Sequence, residues 1–365
     1  MVAAEIADHV FRQLRVGSEP CETAAYVAVP GNEMARWMLP AGRPEIGRVL
    51  ASWAPFRLRS RAAWSALRAA SQLGRIARIP GVSVLELETR GADWTSLGWR
   101  GDEPPIPVIY LGTPGPKRKA VVHLVEPSSG LCRAVVKVPL TDEAKTAILH
   151  EAEVLEALAR ERYEFSPRLL QVDWTRGIAT QTFVDGRPGS RRLTPECRQL
   201  LQSLLLAGEI TTLAEHGERW DREISEVADE SAEHQTIAAV IDELRDDSPL
   251  PACWEHGDFA PWNIKRLPAG GCALLDWEDG RRKALPLQDA YHFLHMQDWL
   301  FGKKATLHAA DVWEFAVGMK VPPGLIRKLE GAYLVSAYLK CVGEGNCKRA
   351  RFVSSTIGLL QRKVA

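Results

Sequence analysis

The sequence predicts an α+β chain with a strand-rich first part, a helical second part and a break between them. Three observations carry this. Short runs of β-branched and aliphatic residues recur from Val108 to Val184, separated by turn formers. Asp185-Gly186-Arg187-Pro188-Gly189 then interrupts the chain with residues that favour neither a strand nor a helix interior. Beyond Thr194, apolar residues recur at helical spacing. The length of 365 residues and a hydrophobic content of 46% suffice for one large two-lobed protein or two domains. The 46 basic and 46 acidic side chains cancel, so bulk charge offers no argument for a nucleic-acid partner. Seven cysteines, an odd number with no C-x-x-C pair, point away from a disulfide framework or a zinc site and toward a reducing compartment. The first fifteen residues carry Glu5 and Asp8 and lack the apolar core of a signal peptide. No apolar run approaches the length that spans a bilayer, so a soluble, cytoplasmic protein is expected.

The elements follow in order. Residues 3–15 read as an amphipathic helix, and Ala24 to Val29 as a strand ended by Pro30-Gly31-Asn32. Between Glu45 and Glu86 there is no acidic residue, while Arg48, Arg57, Arg59, Arg61, Arg68, Arg75 and Arg78 are all basic. Residues 60–79 have helical spacing there, with Trp64, Leu67, Leu73 and Ile76 as the apolar stripe and Pro80-Gly81 as the stop. Such a helix either packs its stripe and leaves its arginines in water, or lies through the basic 57–79 segment on an anionic membrane surface. Val82 to Glu88 suggests a strand, and Gly91 to Pro107 an irregular link. Val108 to Gly112 and Ala120 to Val125 form a hairpin around Gly112 and Gly115, small residues that let backbone amides approach phosphate oxygens. Pro114 and Pro116 remove two of those amides. Leu131 to Val138 is the next strand, with Lys137 among β-branched neighbours, where an ammonium needs an anion. A helix over Asp142 to Arg160, capped near Thr141, follows. A hairpin of 169–173 and 178–184 turns through Thr175-Arg176-Gly177. Helices are expected over 195–217, 221–245, 286–293, 311–319, 323–343 and 349–363.

The segment with the most chemistry is His256-Gly257-Asp258-Phe259-Ala260-Pro261-Trp262-Asn263, followed by Leu274-Leu275-Asp276-Trp277-Glu278. Its bland content is a polar turn before a hairpin that Gly270-Gly271 closes. Its spacing, H-x-D-x-x-x-x-N with a later Asp, is the catalytic-loop pattern of protein-kinase-like enzymes. In that pattern Asp258 orients an attacking hydroxyl and accepts its proton. Asn263 and Asp276 hold magnesium against nucleotide phosphates, a fitting task for hard oxygen ligands.

His256-Gly257-Asp258 with Asn263, then Asp276-Trp277-Glu278, resembles the aminoglycoside phosphotransferase and choline kinase group of small-molecule kinases. The resemblance covers roughly Pro107 to the C-terminus. Gly257 and Trp277-Glu278 depart from the Arg and the Phe-Gly usual in protein kinases. The resemblance implies a bilobal protein-kinase-like fold. A small antiparallel-sheet N-lobe would span 107–184 and a mainly helical C-lobe 185–365, with catalytic loop 256–263. Residues 1–106 would be an N-terminal extension that the resemblance does not cover. It implies that Lys137 binds the α- and β-phosphates and pairs with Glu151, with Glu153 as the alternative. It implies that the backbones of Thr182 and Val184 read the adenine edge, and that Asp289 braces the catalytic loop. His256 supports the loop backbone.

The function so implied is ATP- and magnesium-dependent transfer of the γ-phosphoryl group to a hydroxyl of a small molecule. A sugar, an amino alcohol, a glycolipid precursor or an aminoglycoside-like compound would be the acceptor. Glu278, Asp279, Asp298, Trp299, Tyr333 and Tyr338 are candidates for an acidic and aromatic acceptor wall. The alternative class is a nucleotide-binding scaffold or pseudokinase acting through its extension. The retention of Lys137, Asp258, Asn263 and Asp276 together argues against it.

Overall fold

A computed structural model of the chain describes residues 3–15, 23–55, 58–89, 92–226 and 232–362. Two units emerge: Met1–Pro188 with Lys265–Glu278, and Gly189–Ile264 with Asp279–Ala365. In the first unit, α1 (Ala3–Leu14) precedes the strands β1 (Thr23–Val29) and β2 (Trp37–Pro40). Two helices, α2 (Gly47–Ala51) and α3 (Leu58–Gln72), lead to β3 (Ser83–Glu88). Then come β4 (Ile106–Leu111), β5 (Lys119–Val125), β6 (Cys132–Pro139) and α4 (Asp142–Arg160). The hairpin of β7 (Leu169–Asp173) and β8 (Ile178–Thr182) follows, and then the two-residue β9 (Arg187–Pro188). Eight of these strands form one sheet in the order β3-β1-β2-β4-β5-β6-β8-β7. The segment 1–106 therefore continues the sheet of the following strands. β2 pairs antiparallel with β4, placing Trp37 opposite Tyr110.

The two faces of this sheet are covered differently. On one, Ile6, Val10, Phe11 and Leu14 of α1 pack with Met38, Ile109, Val122, Leu124 and Val136. On the other, Val49 and Leu50 of α2 and Trp64 and Leu67 of α3 pack with Trp37, Leu39, Val108 and Val125. Trp64 lies over Trp53 and Trp37, with ring centroids 4.6 and 5.4 Å away. Its Nε1 donates to the carbonyls of Leu50 (3.0 Å) and Trp53 (2.9 Å). The arginine-rich helix thus packs its apolar stripe. Arg59, Arg61, Arg75 and Arg78 are exposed. The helix is shorter than the expected 60–79. It ends at Gln72, Gly74 takes a left-handed φ of 63°, and Arg75 N–H donates back to the Ala70 carbonyl. Leu73, expected in the stripe, is therefore exposed.

In the second unit, α5 (Pro195–Ser203) is followed by β10 (Leu205–Thr211), α6 (Leu213–Ser225), α7 (Ala232–Leu244) and β11 (Leu250–Glu255). The chain returns to the first unit with β12 (Ile264–Arg266) and β13 (Cys272–Leu274), which form a small sheet with β9. It then adds β14 (Arg281–Ala284), α8 (Gln288–Leu300), α9 (Trp313–Gly318), α10 (Ile326–Gly343) and α11 (Cys347–Arg362). The expected helix over 195–217 is a helix, a strand and the start of a second helix. Thr194 and Thr212 each cap a helix through their side chains, so two starts lie within that range. Between them, β10 pairs with β11, and β11 with β14. The expected helix over 221–245 falls on parts of α6 and α7, with 227–231 outside the described residues. α10 packs against α6, α7, α8 and α11 and buries Leu329, Leu334 and Val335. Among the described residues no helix is long and apolar enough to cross a membrane.

Replacing Trp64 with Ala removes a ring packed against two other tryptophans, Trp37 and Trp53. The expected loss is about 3–5 kcal/mol, read as a lower thermal or urea transition of the first unit. Arg59→Gln on the exposed side of the same helix should stay within about 0.5 kcal/mol of wild type.

Candidate active site

Each unit carries part of the predicted chemistry. In the first unit, Lys137 lies in the middle of β6 with only 5% of its surface exposed. Its Nζ donates to both carboxylate oxygens of Glu151 (2.7 and 2.5 Å) and to Oδ1 of Asp276 (2.7 Å). Glu151 projects from α4, whose start is fixed by the Thr141 side chain accepting from Ala144 N–H at 3.0 Å. Glu153, the alternative partner, is exposed and meets His150 instead, at 3.9 Å. Glu151 Oε1 also accepts from the Trp277 amide at 3.2 Å, so one carboxylate joins helix, strand and acidic loop. Asp276 has a left-handed φ of 68°, a conformation that Asp tolerates better than most residues. Burial opposes its charge, but Lys119 and Lys137 hold its carboxyl well below the ordinary range.

Lys119 also enters this cluster; the sequence offers Lys117, Arg118 and Lys119 at the hairpin tip either as phosphate-holding cations or, more commonly, as charges facing water. Lys119 is 7% exposed, and its Nζ donates to Asp276 Oδ1 at 2.7 Å and to the Glu278 carboxylate. The available signal is register. Val121 lies directly opposite Lys137, so Lys119, two residues earlier, shares its face.

The remaining nucleotide-directed candidates also belong to this unit. Gly112 N–H donates to the Lys119 carbonyl at 2.9 Å, and a Cβ on Gly112 would come within 2.8 Å of that oxygen. Gly115 is exposed at the tip between the two prolines. At the end of β8, Thr182 N–H is committed to the Arg168 carbonyl at 2.8 Å, and Phe183 N–H to the Arg133 carbonyl at 3.2 Å. The Thr182 amide is therefore already taken. Val184 lies beyond the strand. Gln181, opposite Val135 and thus on the Lys137 face, is buried with an Oε1 that lacks a hydrogen-bond donor. That orphaned carbonyl fits a ligand carrying an amine donor.

The second unit holds the loop 256–263 that is expected to be catalytic. Asp258 Oδ2 accepts from Asn263 Nδ2 at 2.8 Å, and that nitrogen also reaches the Asp258 carbonyl at 2.9 Å. Asp258 Oδ1 meets His292 Nε2 at 2.9 Å. Burial raises the Asp258 carboxyl, but the His292 hydrogen bond and the charges of His292, Lys340 and His256 leave it below its ordinary value. His256 is fully buried, and its Nδ1 accepts from the Asp258 amide at 3.2 Å. Asp289, in the first turn of α8, accepts from His256 N–H (2.8 Å) and Gly257 N–H (3.0 Å). Burial pushes its carboxyl up to about 8, with Glu255 adding to the shift and the two amides opposing it. His292 sits one helical turn after Asp289, and this i, i+3 spacing is the signal that could have found it. Gly257 has a left-handed φ of 78°, and a Cβ there would lie 2.7 Å from the Asp279 carbonyl. This explains why no Arg stands at that position.

Each unit carries one expected metal ligand with an open oxygen of the type a hard cation takes. Among the described residues, neither Asn263 Oδ1 nor Asp276 Oδ2 accepts a hydrogen bond. Most residues of the expected acceptor wall are buried or already paired. Asp298, Tyr333 and Tyr338 are buried, and Asp298 is bound by Lys303 and His308. Asp279 is bound by Lys340 at 2.8 Å, and Glu278 by Lys119.

A model described as the phosphotransferase enzyme family matches residues 118–316. No curated protein matches the chain in sequence. Among solved structures, the apo form of a thermostable mutant of aminoglycoside phosphotransferase APH(4)-Ia is similar, with 14% identity and a TM-score of 0.52. That alignment covers 70% of this chain and 94% of the other. Choline kinase LicA from Streptococcus pneumoniae is 15% identical over 66% of this chain and 89% of its own, with a TM-score of 0.46. The first likeness bears on the fold, and agrees with the α+β, protein-kinase-like organisation expected from the sequence.

Asp289→Ala would leave two loop amides without their acceptor, at a cost on the order of 2–5 kcal/mol. The expected result is a lowered melting temperature and lost hydrogen-exchange protection at His256 and Gly257. Unchanged protection would show that Asp289 does not brace the loop.

Proposed function

Since the chain belongs to the phosphotransferase enzyme family, we propose that it transfers the γ-phosphoryl group of ATP to a hydroxyl of a small molecule, with magnesium. The observation that carries this reading is the Asp258 carboxylate. Its two oxygens are fixed by His292 and Asn263, yet 29% of the side chain remains exposed. A carboxylate so held is oriented to accept the proton of an incoming hydroxyl while the transition state forms.

The other residues divide the positioning work. Lys137, itself held by Glu151, binds the nucleotide phosphates as a fixed point charge. The Thr182 carbonyl and the Val184 backbone read the base edge, and Gln181 Oε1 accepts from its amine. The hairpin of Gly112 and Gly115 covers the phosphates. Asn263 Oδ1 and Asp276 Oδ2 hold the cation. Magnesium, when bound, supplies charge neutralisation at the transferring phosphoryl group. The chain's own share is geometry: two rigid loops that carry the reacting carboxylate and the metal ligands at low reorganisation cost.

The acceptor is proposed as a sugar, an amino alcohol, a glycolipid precursor or an aminoglycoside-like compound. A panel of sugars, amino alcohols and aminoglycosides, incubated with the full chain and magnesium ATP, should show acceptor-dependent ADP release. Asp258→Asn should lower that rate by about 10²–10⁴-fold while calorimetry still detects ADP binding. Wild-type turnover in that variant would refute the assignment of Asp258. Lys137→Met should show the reverse emphasis, with nucleotide affinity falling first.

A further inference from the structure

Four backbone positions of the hairpin between β4 and β5 have no amide to offer a phosphate. Pro114 and Pro116 have no amide hydrogen, the Gly112 amide is committed to the Lys119 carbonyl, and Arg118 N–H is committed to Gly115 at 3.2 Å. At the base of this hairpin stands Lys119, buried, on the same sheet face as Lys137 and two residues from the half-buried Val121. Its ammonium and that of Lys137 share one oxygen, Asp276 Oδ1, each at 2.7 Å. Lys119 also closes on Glu278. Two ammonium groups therefore face three carboxylates: Glu151, Asp276 and Glu278. Without Lys119 the cluster would hold one cation against three anions, a poor receptor for a polyanion. A divalent cation entering on Asp276 and Glu278 would compete with Lys119 for the same hard oxygens.

We propose that Lys119 is a second phosphate-directed cation of the nucleotide site, which holds the Asp276–Glu278 carboxylate pair in register and turns to the polyphosphate when a divalent cation takes those oxygens. The inference rests on the nucleotide-dependent reading above. Lys119 replaces, with one side chain, the amide donors that the two prolines remove. Burial opposes the charge of Lys119, but Asp276, Glu278 and Glu151 hold its ammonium protonated above the usual lysine range.

The two halves of this role predict effects of opposite sign, which a merely structural lysine would not give. With Lys119→Met in the full chain, calorimetric ADP affinity in magnesium should fall about tenfold, the size of a lost charge-assisted hydrogen bond. Manganese titrated alone, followed by its electron-spin signal, should bind at least about fivefold more tightly, because its competitor for Asp276 and Glu278 is gone. Lys119→Arg keeps the cation on a different frame and should recover most of the ADP affinity. It also serves as the folded comparison should the Met variant melt early, since an Arg variant that binds manganese more tightly and ADP no better than the Met variant overturns the proposal. Equal ADP affinity in wild type and Lys119→Met, or unchanged manganese affinity, also overturns it while leaving the function intact. If wild type itself binds no ADP, the nucleotide-dependent reading fails and this inference falls with it.

Discussion

A lysine in the middle of a sheet face sets the terms for the first unit. The Lys137 ammonium lies among β-branched strand residues with little access to water, so it requires anions at hydrogen-bond distance. Glu151 and Asp276 supply them, from α4 and from the loop after β13. Each is fixed in turn. Thr141 sets where α4 begins, and hence which of its turns faces β6. The Trp277 amide ties the acidic loop to Glu151, while the buried Trp277 ring stacks on Phe165 at 6.3 Å. Removing the charge would leave the buried Glu151 carboxylate without its cation, while Asp276 would keep Lys119.

The second unit solves a different problem, that of aiming a carboxylate without neutralising it. Asp258 receives hydrogen bonds from Asn263, five residues on, and from His292 on α8. Its loop backbone hangs from Asp289 on the same helix. One helix thus positions both the loop and its Asp258 carboxylate. The left-handed Gly257 permits the tight passage against Asp279. Rigidity here comes from short hydrogen bonds to a single packed element, and it leaves the outer part of the carboxylate open.

Much of this is legible in the sequence, for identifiable reasons. Strands β4 to β8 and helix α4 are local, strongly patterned and punctuated by Gly, Pro and Thr, and the expected segments fall on them. The spacing of His256, Asp258, Asn263 and Asp276 survives in one dimension because a single hairpin carries it. Lys119 and His292 do not, since their importance depends on cross-strand register and on a helix turn meeting a distant loop. The helix expected over 195–217 fails because Leu204, Leu205 and Leu206 suit either a helix or a strand, and pairing with β11 decides. The arginine-rich segment gives its charge and stripe correctly but not its end, which a single glycine determines.

The family match begins at residue 118, yet the sheet it enters begins with β1. A β2 strand inserted between β1 and β4 makes the first hundred residues part of the same hydrogen-bonded surface. Evolutionary boundary and mechanical boundary therefore differ in this chain. Cutting between β3 and β4 would turn the interior strand β4 into an open edge, with bare amides and carbonyls along one side. Tyr110 and His123 would lose the indole of Trp37 that covers them, at 4.9 and 5.8 Å. A bare apolar edge of that kind is a template for self-association. The extension therefore acts as a seal on the sheet, and the shortest piece of this chain that stays monodisperse must retain it.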